Sequence, residues 1–224
     1  MHKTKFIVLF FVCGIILSFP TAKQVFSAAI SNFTQTINAN TLSIDIVDDS
    51  FASVASPAVQ MSAVTFSFAC QSATGTFGTN TERIYVKNPD AADSGWTASI
   101  AGSNTTAVWD AAAADFDFND AATSGCTDGA DTDSVGGQMT VDASVGTIQV
   151  GECAGCAITN ISLGSQASFA EGTVDSITLM DAAADSNDIG DWYLTGVSVA
   201  QTIPAEQLVA SDYDINMVLS IIAK

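Results

Sequence analysis

Apolar residues recur at every second position along this chain, and nowhere does a spacing of 3.6 persist beyond two turns. The segments that face a core must therefore be strands, whose side chains alternate between a buried and a wet face. The cleanest run is Tyr213, Ile215, Met217, Leu219 and Ile221. Others are Leu42, Ile44 and Ile46; Val64, Phe66 and Phe68; Ile84 and Val86; Trp96, Ala98 and Ile100; and Met139 and Val141. Ile177 with Leu179, Trp192 with Leu194, and Val197 with Val199 complete the set. Turn-forming clusters separate them, at Asp48-Asp49-Ser50, Gly75 to Asn80, Asn88-Pro89-Asp90, Gly136-Gly137, Gly151, Ser186-Asn187-Asp188 and Pro204. About eight to ten short strands at this spacing predict an all-β fold, an antiparallel β-sandwich in one domain over 30–224. Ser, Thr, Ala, Gly and Val are abundant while Leu, Lys, Arg and Glu are sparse, an alphabet for strands and turns rather than helices.

Residues 1–29 read as a secretory signal peptide. His2, Lys3 and Lys5 make a positive start, Phe6 to Phe19 an apolar run too short for a comfortable bilayer span, and Ser27, Ala28 and Ala29 offer a cleavage site. Cys13 lies inside that run without the Leu and small residues of a lipid-anchor site. Cleavage would leave no stable membrane span, and only Arg83, Lys87 and Lys224 against all 24 acids. Nucleic acid and anionic membrane surfaces are poor partners for such a field, which suits cations or basic surfaces better.

Four cysteines would remain, and an even number in an exported chain predicts disulfides. The expected pairs are Cys153 with Cys156 and Cys70 with Cys126. A redox pair or half a zinc site is the alternative for Cys-Ala-Gly-Cys, although no histidine is left to complete zinc's ligands.

From about 103 to 137 the strand rhythm lapses, and this long acidic loop reads as an insertion. From Asp110 to Asp142 the chain carries eight aspartates and Asn119 with no basic residue. Like charges at that density repel unless a cation sits among them. Calcium takes six to eight oxygens from carboxylates, carbonyls and water. In Asp115-Phe116-Asp117-Phe118-Asn119-Asp120 the phenylalanines would anchor the segment while the oxygens face the other way, and Asp128, Asp131 and Asp133 would complete a structural Ca2+ site. The order of ligands is not that of an EF-hand. Asp181, Asp185, Asp188 and Asp191 with Asn187 form a second, sparser cluster.

Enzymatic chemistry lacks its usual parts. The only histidine is His2, so a mature chain has no Ser-His-Asp or Cys-His nucleophile system. Glu82, Glu152 and Glu171 with the aspartates could supply a carboxylate pair for glycoside hydrolysis, yet no spacing singles one out. The expectation is a protein that is not an enzyme. Trp96 and Trp192 sit in strand patterns that predict core positions, which leaves Trp109 as the candidate for stacking against a glycan.

Gly95-Trp96-Thr97-Ala98 and the run beginning at Tyr213 resemble the WxL-type bacterial cell-surface proteins, β modules held non-covalently on the cell wall. That family carries Gly-Trp-x-Leu in mid-domain and a closing strand that starts with Tyr and bears a second Trp. Here Ala98 takes the place of the Leu and Leu219 that of the second Trp, while Trp192-Tyr193-Leu194 spells the motif nearer the end. The segment Phe33 to Ile44 is similar to the first strand of the matrix-fibre proteins related to camelysin. These resemblances imply a secreted, cell-surface protein acting in adhesion or surface assembly, with cell-wall components, glycans or further copies of itself as partners. A strand-exchanging filament or matrix subunit, donating Tyr213 to Ile221 or Phe33 to Ile46, and a carbohydrate-binding module are the alternatives.

Overall fold

Trp96 and Trp192, 96 residues apart in the sequence, meet with ring centroids 5.9 Å apart, and both are fully buried. Around this pair a computed structural model arranges fourteen strands, and it describes residues 34–35, 40–89, 94–112, 114–129, 134–184 and 189–224. The strands are β1 (Ser43–Val47), β2 (Gln71–Phe77), β3 (Arg83–Asn88), β4 (Trp96–Gly102), β5 (Val108–Trp109), β6 (Phe116–Asp117) and β7 (Gln138–Asp142). They continue with β8 (Thr147–Val150), β9 (Ile161–Leu163), β10 (Ala167–Ser168), β11 (Ser176–Ala182), β12 (Gly190–Thr195), β13 (Val197–Ile203) and β14 (Met217–Ala223). Three four-stranded sheets run β1-β3-β12-β8, β10-β7-β13-β2 and β14-β4-β11-β9, and β5 pairs with β6. Every pairing is antiparallel. The chain separates into two units, Met1–Ile37 and Asn38–Lys224, and all fourteen strands lie in the second.

Alternation explains the core. In β4 the burial runs through Trp96, Ala98 and Ile100; in β12 through Trp192 and Leu194; in β13 through Val197, Val199, Gln201 and Ile203. Burying one large apolar side chain contributes about 1.5–3 kcal/mol, and β11 adds Ile177, Leu179, Met180 and Ala182 to the same core. Trp192 also donates its indole N–H to the carbonyl of Ala157 at 2.9 Å. Among the described residues, Trp96 Nε1 is buried with no acceptor.

Two expected strands are different in space. Val64, Phe66 and Phe68 belong to no strand, and all three are exposed. Their alternation is set by an extended segment that crosses the open edge of β2, held there by Ser62 N–H to the Thr74 carbonyl at 2.7 Å and by Thr74 N–H to Ser62 Oγ at 2.9 Å. The run from Tyr213 to Ile221 becomes a strand only from Met217 onward. Its first half is drawn off by the pairing of Asp214 with Asp110.

The long connection between β4 and β7 is tied into the body. Phe118 is buried against Phe169 with ring centroids 5.1 Å apart, and Met139 N–H donates to the Phe118 carbonyl at 2.6 Å. Cys126 of this connection forms a disulfide with Cys70, and Cys153 forms one with Cys156. Gly137, at φ +143°, is where the backbone of Asp117 comes so close that a Cβ would overlap it. Among the described residues no helix is long and apolar enough to cross a membrane.

Candidate functional site: an uncharged aromatic groove with an acidic flank

The aspartates expected to gather round calcium have separate duties. Asp120 is buried and uses both oxygens on backbone amides, accepting from Ala122 at 2.7 Å and Gly129 at 2.7 Å. Asp117 is buried and accepts from the amide of Phe118 at 2.6 Å. Asn119 donates its side-chain amide to the Thr105 carbonyl at 2.8 Å. Asp115 and Asp128 are exposed. Asp131 and Asp133 lie outside the described residues, as do Asp185, Asn187 and Asp188 of the second cluster. Among the described residues no group of three or more acidic, Cys or His side chains is placed to hold a metal ion. Backbone N–H groups are strong partners for a carboxylate, and those of Ala122, Gly129 and Phe118 engage Asp120 and Asp117.

From the second cluster, Asp191 plays a similar part. Its carboxylate accepts from Tyr85 Oη at 2.7 Å, from the amide of Glu152 at 2.6 Å and from the amide of Cys153 at 2.8 Å. Burial, then the hydrogen bond to Asp191 and the charges of Asp191 and Glu152, push the Tyr85 hydroxyl well above the ordinary tyrosine range. Gly151 leaves room for that carboxylate, since a Cβ there would overlap Asp191 Oδ2. Asp181 pairs with Lys224 Nζ at 2.7 Å and accepts from Thr97 Oγ1 at 2.7 Å. Burial opposes its ionisation, but these two partners outweigh that and hold its carboxyl below the ordinary value.

The cavity of consequence lies elsewhere. A groove of about 510 Å³ is bounded by the segment 60–66 and the loop 207–213, and its floor is Ala73, Trp109, Phe116, Gln201, Ile203 and Tyr213. Trp109 and Phe116 stack nearly parallel, 11° apart at 5.7 Å, and Tyr213 meets Phe116 edge-on at 5.0 Å. Gln201, 1% exposed, accepts from Trp109 Nε1 at 2.9 Å. Its amide donates to the carbonyls of Asp117 at 2.9 Å and Thr202 at 2.8 Å. Gln207 donates to Tyr213 Oη at 2.9 Å and to the Asp115 carbonyl at 3.0 Å, and Tyr213 Oη donates to the Leu208 carbonyl at 2.7 Å. The two walls are joined by Glu206 N–H to the Ser67 carbonyl at 2.8 Å.

The walls carry exposed apolar side chains, and Phe68 extends them beyond the lining. Val64, Phe66, Phe68, Leu208 and Val209 are all exposed, Phe68 at 81% and Val209 at 78%. Phe66 and Phe68 pack on each other at 5.3 Å. A group of exposed apolar side chains around one groove marks a place where something binds. None of the groove's lining side chains is charged, although the chain has a formal net charge of −18.

Of the sequence candidates, the groove takes Trp109, half-buried rather than standing free, and it has Asp115 at its edge. Tyr213 entered the sequence reading only as the start of a closing or donor strand, and Phe116, Gln201, Gln207, Phe66 and Phe68 were not singled out as binding residues. One signal for them is visible in retrospect: each floor aromatic has an aspartate beside it, in Trp109-Asp110, Asp115-Phe116-Asp117 and Asp212-Tyr213-Asp214. No protein-family model, no curated protein and no solved structure matches the chain, so it is the geometry of this groove that bears on function.

Proposed function

We propose that this chain is an exported, non-catalytic surface protein that acts by binding, in adhesion or surface assembly, and that the aromatic groove is its binding face. One observation carries this: an open channel of about 510 Å³ with aromatic floor and exposed apolar banks, kept free of charged side chains on a strongly acidic chain. Pockets that orient a ligand combine apolar walls with a few placed polar groups, which here are Gln71, Gln201, Gln207 and the Tyr213 hydroxyl. The two disulfides and the leader-like first 29 residues support an oxidising destination outside the cytoplasm. Calcium enters as a separable component, to be tested by chelation.

The test is photo-crosslinking on the cells that export the protein. A photoreactive residue placed at Phe66 or Leu208 should give discrete adducts with a surface component, while one at Val145, equally exposed on another part of the body, should not. Adducts absent at both groove positions, or equally strong at Val145, would remove the groove as the binding face.

Self-assembly by strand addition has one observation in its favour. β14 is the outer strand of its sheet, and Val218 and Ile222 stand exposed along it. A rise in particle size with protein concentration that is abolished by Val218→Lys would favour it over the groove.

A further inference from the structure

We infer that the occupant of this groove is an extended cationic peptide segment, whose apolar side chains enter the channel while its Lys or Arg side chains meet the carboxylates of Asp110, Asp115, Asp212 and Asp214. This rests on the groove being the binding face, and adds what it binds.

The four carboxylates follow from the floor itself. Asp110 succeeds Trp109, Asp115 precedes Phe116, and Asp212 and Asp214 flank Tyr213, so the acids stand next to the floor aromatics in the chain, just outside the groove's own lining. Asp110 and Asp214 pair through their backbones in both directions, N–H to carbonyl at 2.9 and 3.0 Å. Asp212 comes to the same place, its carboxylate accepting from the amide of Ala112 at 3.4 Å. All four side chains are exposed. Among the described residues none of them is in an ion pair. The described bases are engaged or placed elsewhere: Lys224 is held by Asp181, Arg83 lies over the rings of Tyr193 and Phe51, and Lys87 is on β3.

The four carboxylates stand close enough to repel one another. The Asp115 carboxyl, by hydrogen bond and by charge, and more weakly the charges of Asp214 and Asp212, push the Asp110 carboxyl above its ordinary value. A cation arriving here relieves that repulsion, which an uncharged ligand does not.

Other occupants answer the observations less well. A second copy brings a net charge of −18 of its own, so like fields oppose its approach. A neutral glycan would stack on Trp109, but one face of that ring is already covered by Phe116, and the glycan would leave the carboxylates unanswered. A lone divalent ion lacks the convergent ligands it needs among the described residues. A peptide with alternating apolar and basic side chains meets both features, since a strand directs successive side chains to opposite sides.

The test uses the purified full chain and a capped octapeptide of alternating Lys and Leu, with three comparison probes: Glu in place of Lys, Ser in place of Leu, and a neutral tetramer of N-acetylglucosamine. Calorimetric titration should show binding of the Lys-Leu peptide alone, weakening about tenfold when NaCl is raised from about 50 to about 300 mM. The double variant Asp212→Asn/Asp214→Asn, which keeps an acceptor for Ala112, should weaken it about tenfold with a melting temperature no lower than that of the parent. Phe66→Ser, on an exposed side chain, should do the same through the apolar half of the contact. Equal binding of the Glu-Leu peptide, the Lys-Ser peptide or the sugar would overturn the assignment, and so would no binding at all. If no probe binds while crosslinks at Phe66 and Leu208 persist, the cationic occupant falls and the groove stands; if the crosslinks are also absent, both fall.

Discussion

The indole N–H of Trp109 donates to the side-chain carbonyl of Gln201 at 2.9 Å across 92 residues of sequence, joining the short hairpin of β5 and β6 to the central strand β13. Gln201 then spends its amide on the carbonyls of Asp117 and Thr202. One buried side chain thus fixes the floor of the groove. Gln201→Leu leaves those partners without their bonds, and each buried orphan costs about 1–3 kcal/mol. The expected loss is about 3 kcal/mol, a fall of about 6–12 °C in Tm for a body of this size. A thermal melt of the variant checks it.

The two core tryptophans should respond differently to the same change. Trp192→Phe removes ring volume and orphans the Ala157 carbonyl, whereas Trp96→Phe removes ring volume together with a donor that has no acceptor among the described residues. Trp192→Phe should therefore be the more damaging by about 1 kcal/mol, measured by urea unfolding. Equal losses would mean that the Trp192 hydrogen bond contributes nothing net.

Asp120 holds its loop through the amides of Ala122 and Gly129. Asp120→Ala should lower stability by about 3 kcal/mol, because two charge-assisted bonds from half-buried backbone to a buried carboxylate are lost. On this account the loss is the same with calcium or with chelator. A melting temperature of the parent protein that falls several degrees on chelation would show that an ion shares the work.

Asp110 gives a pH dependence of unusual sign. Its folded carboxyl lies above the unfolded value of 3.8, so the folded state binds the proton more tightly. The group therefore destabilises the fold at pH above its folded value, and the penalty disappears as pH falls below the unfolded one. Asp110→Asn should raise Tm at pH 7 and leave it unchanged at pH 3. Asp181 runs the other way: its lowered carboxyl contributes stability above the unfolded value that is lost as pH falls through the folded one. Solvent screening at a pair about a third exposed limits that contribution to about 0.5 kcal/mol.

The all-β class was legible because strands such as β4 and β12 are half-buried ribbons, and a period of two is the direct imprint of that environment. Both disulfide pairs were legible from the number of cysteines and their spacing. The same period misleads at Val64 to Phe68, where an extended segment with exposed apolar side chains leaves the same pattern as a buried strand. At Asp115 to Asp120 the period does not reveal that the side bearing the oxygens is covered as well. Phe116, Asp117, Phe118, Asn119 and Asp120 are in fact all buried, since core packs against one side and backbone amides cover the other. The groove was illegible for a different reason. Its floor comes from β2, β5, β6, β13 and the loop before β14, and no single stretch of sequence carries enough of it to be recognised.

Two-dimensional NMR of the indole N–H groups tests the central claim most directly, because the three tryptophans report on groove and core separately. Addition of the Lys-Leu octapeptide should move the Trp109 signal and leave those of Trp96 and Trp192 in place. A Trp109 signal that stays fixed at saturating peptide would contradict the assignment of the groove as the site where a cationic segment binds.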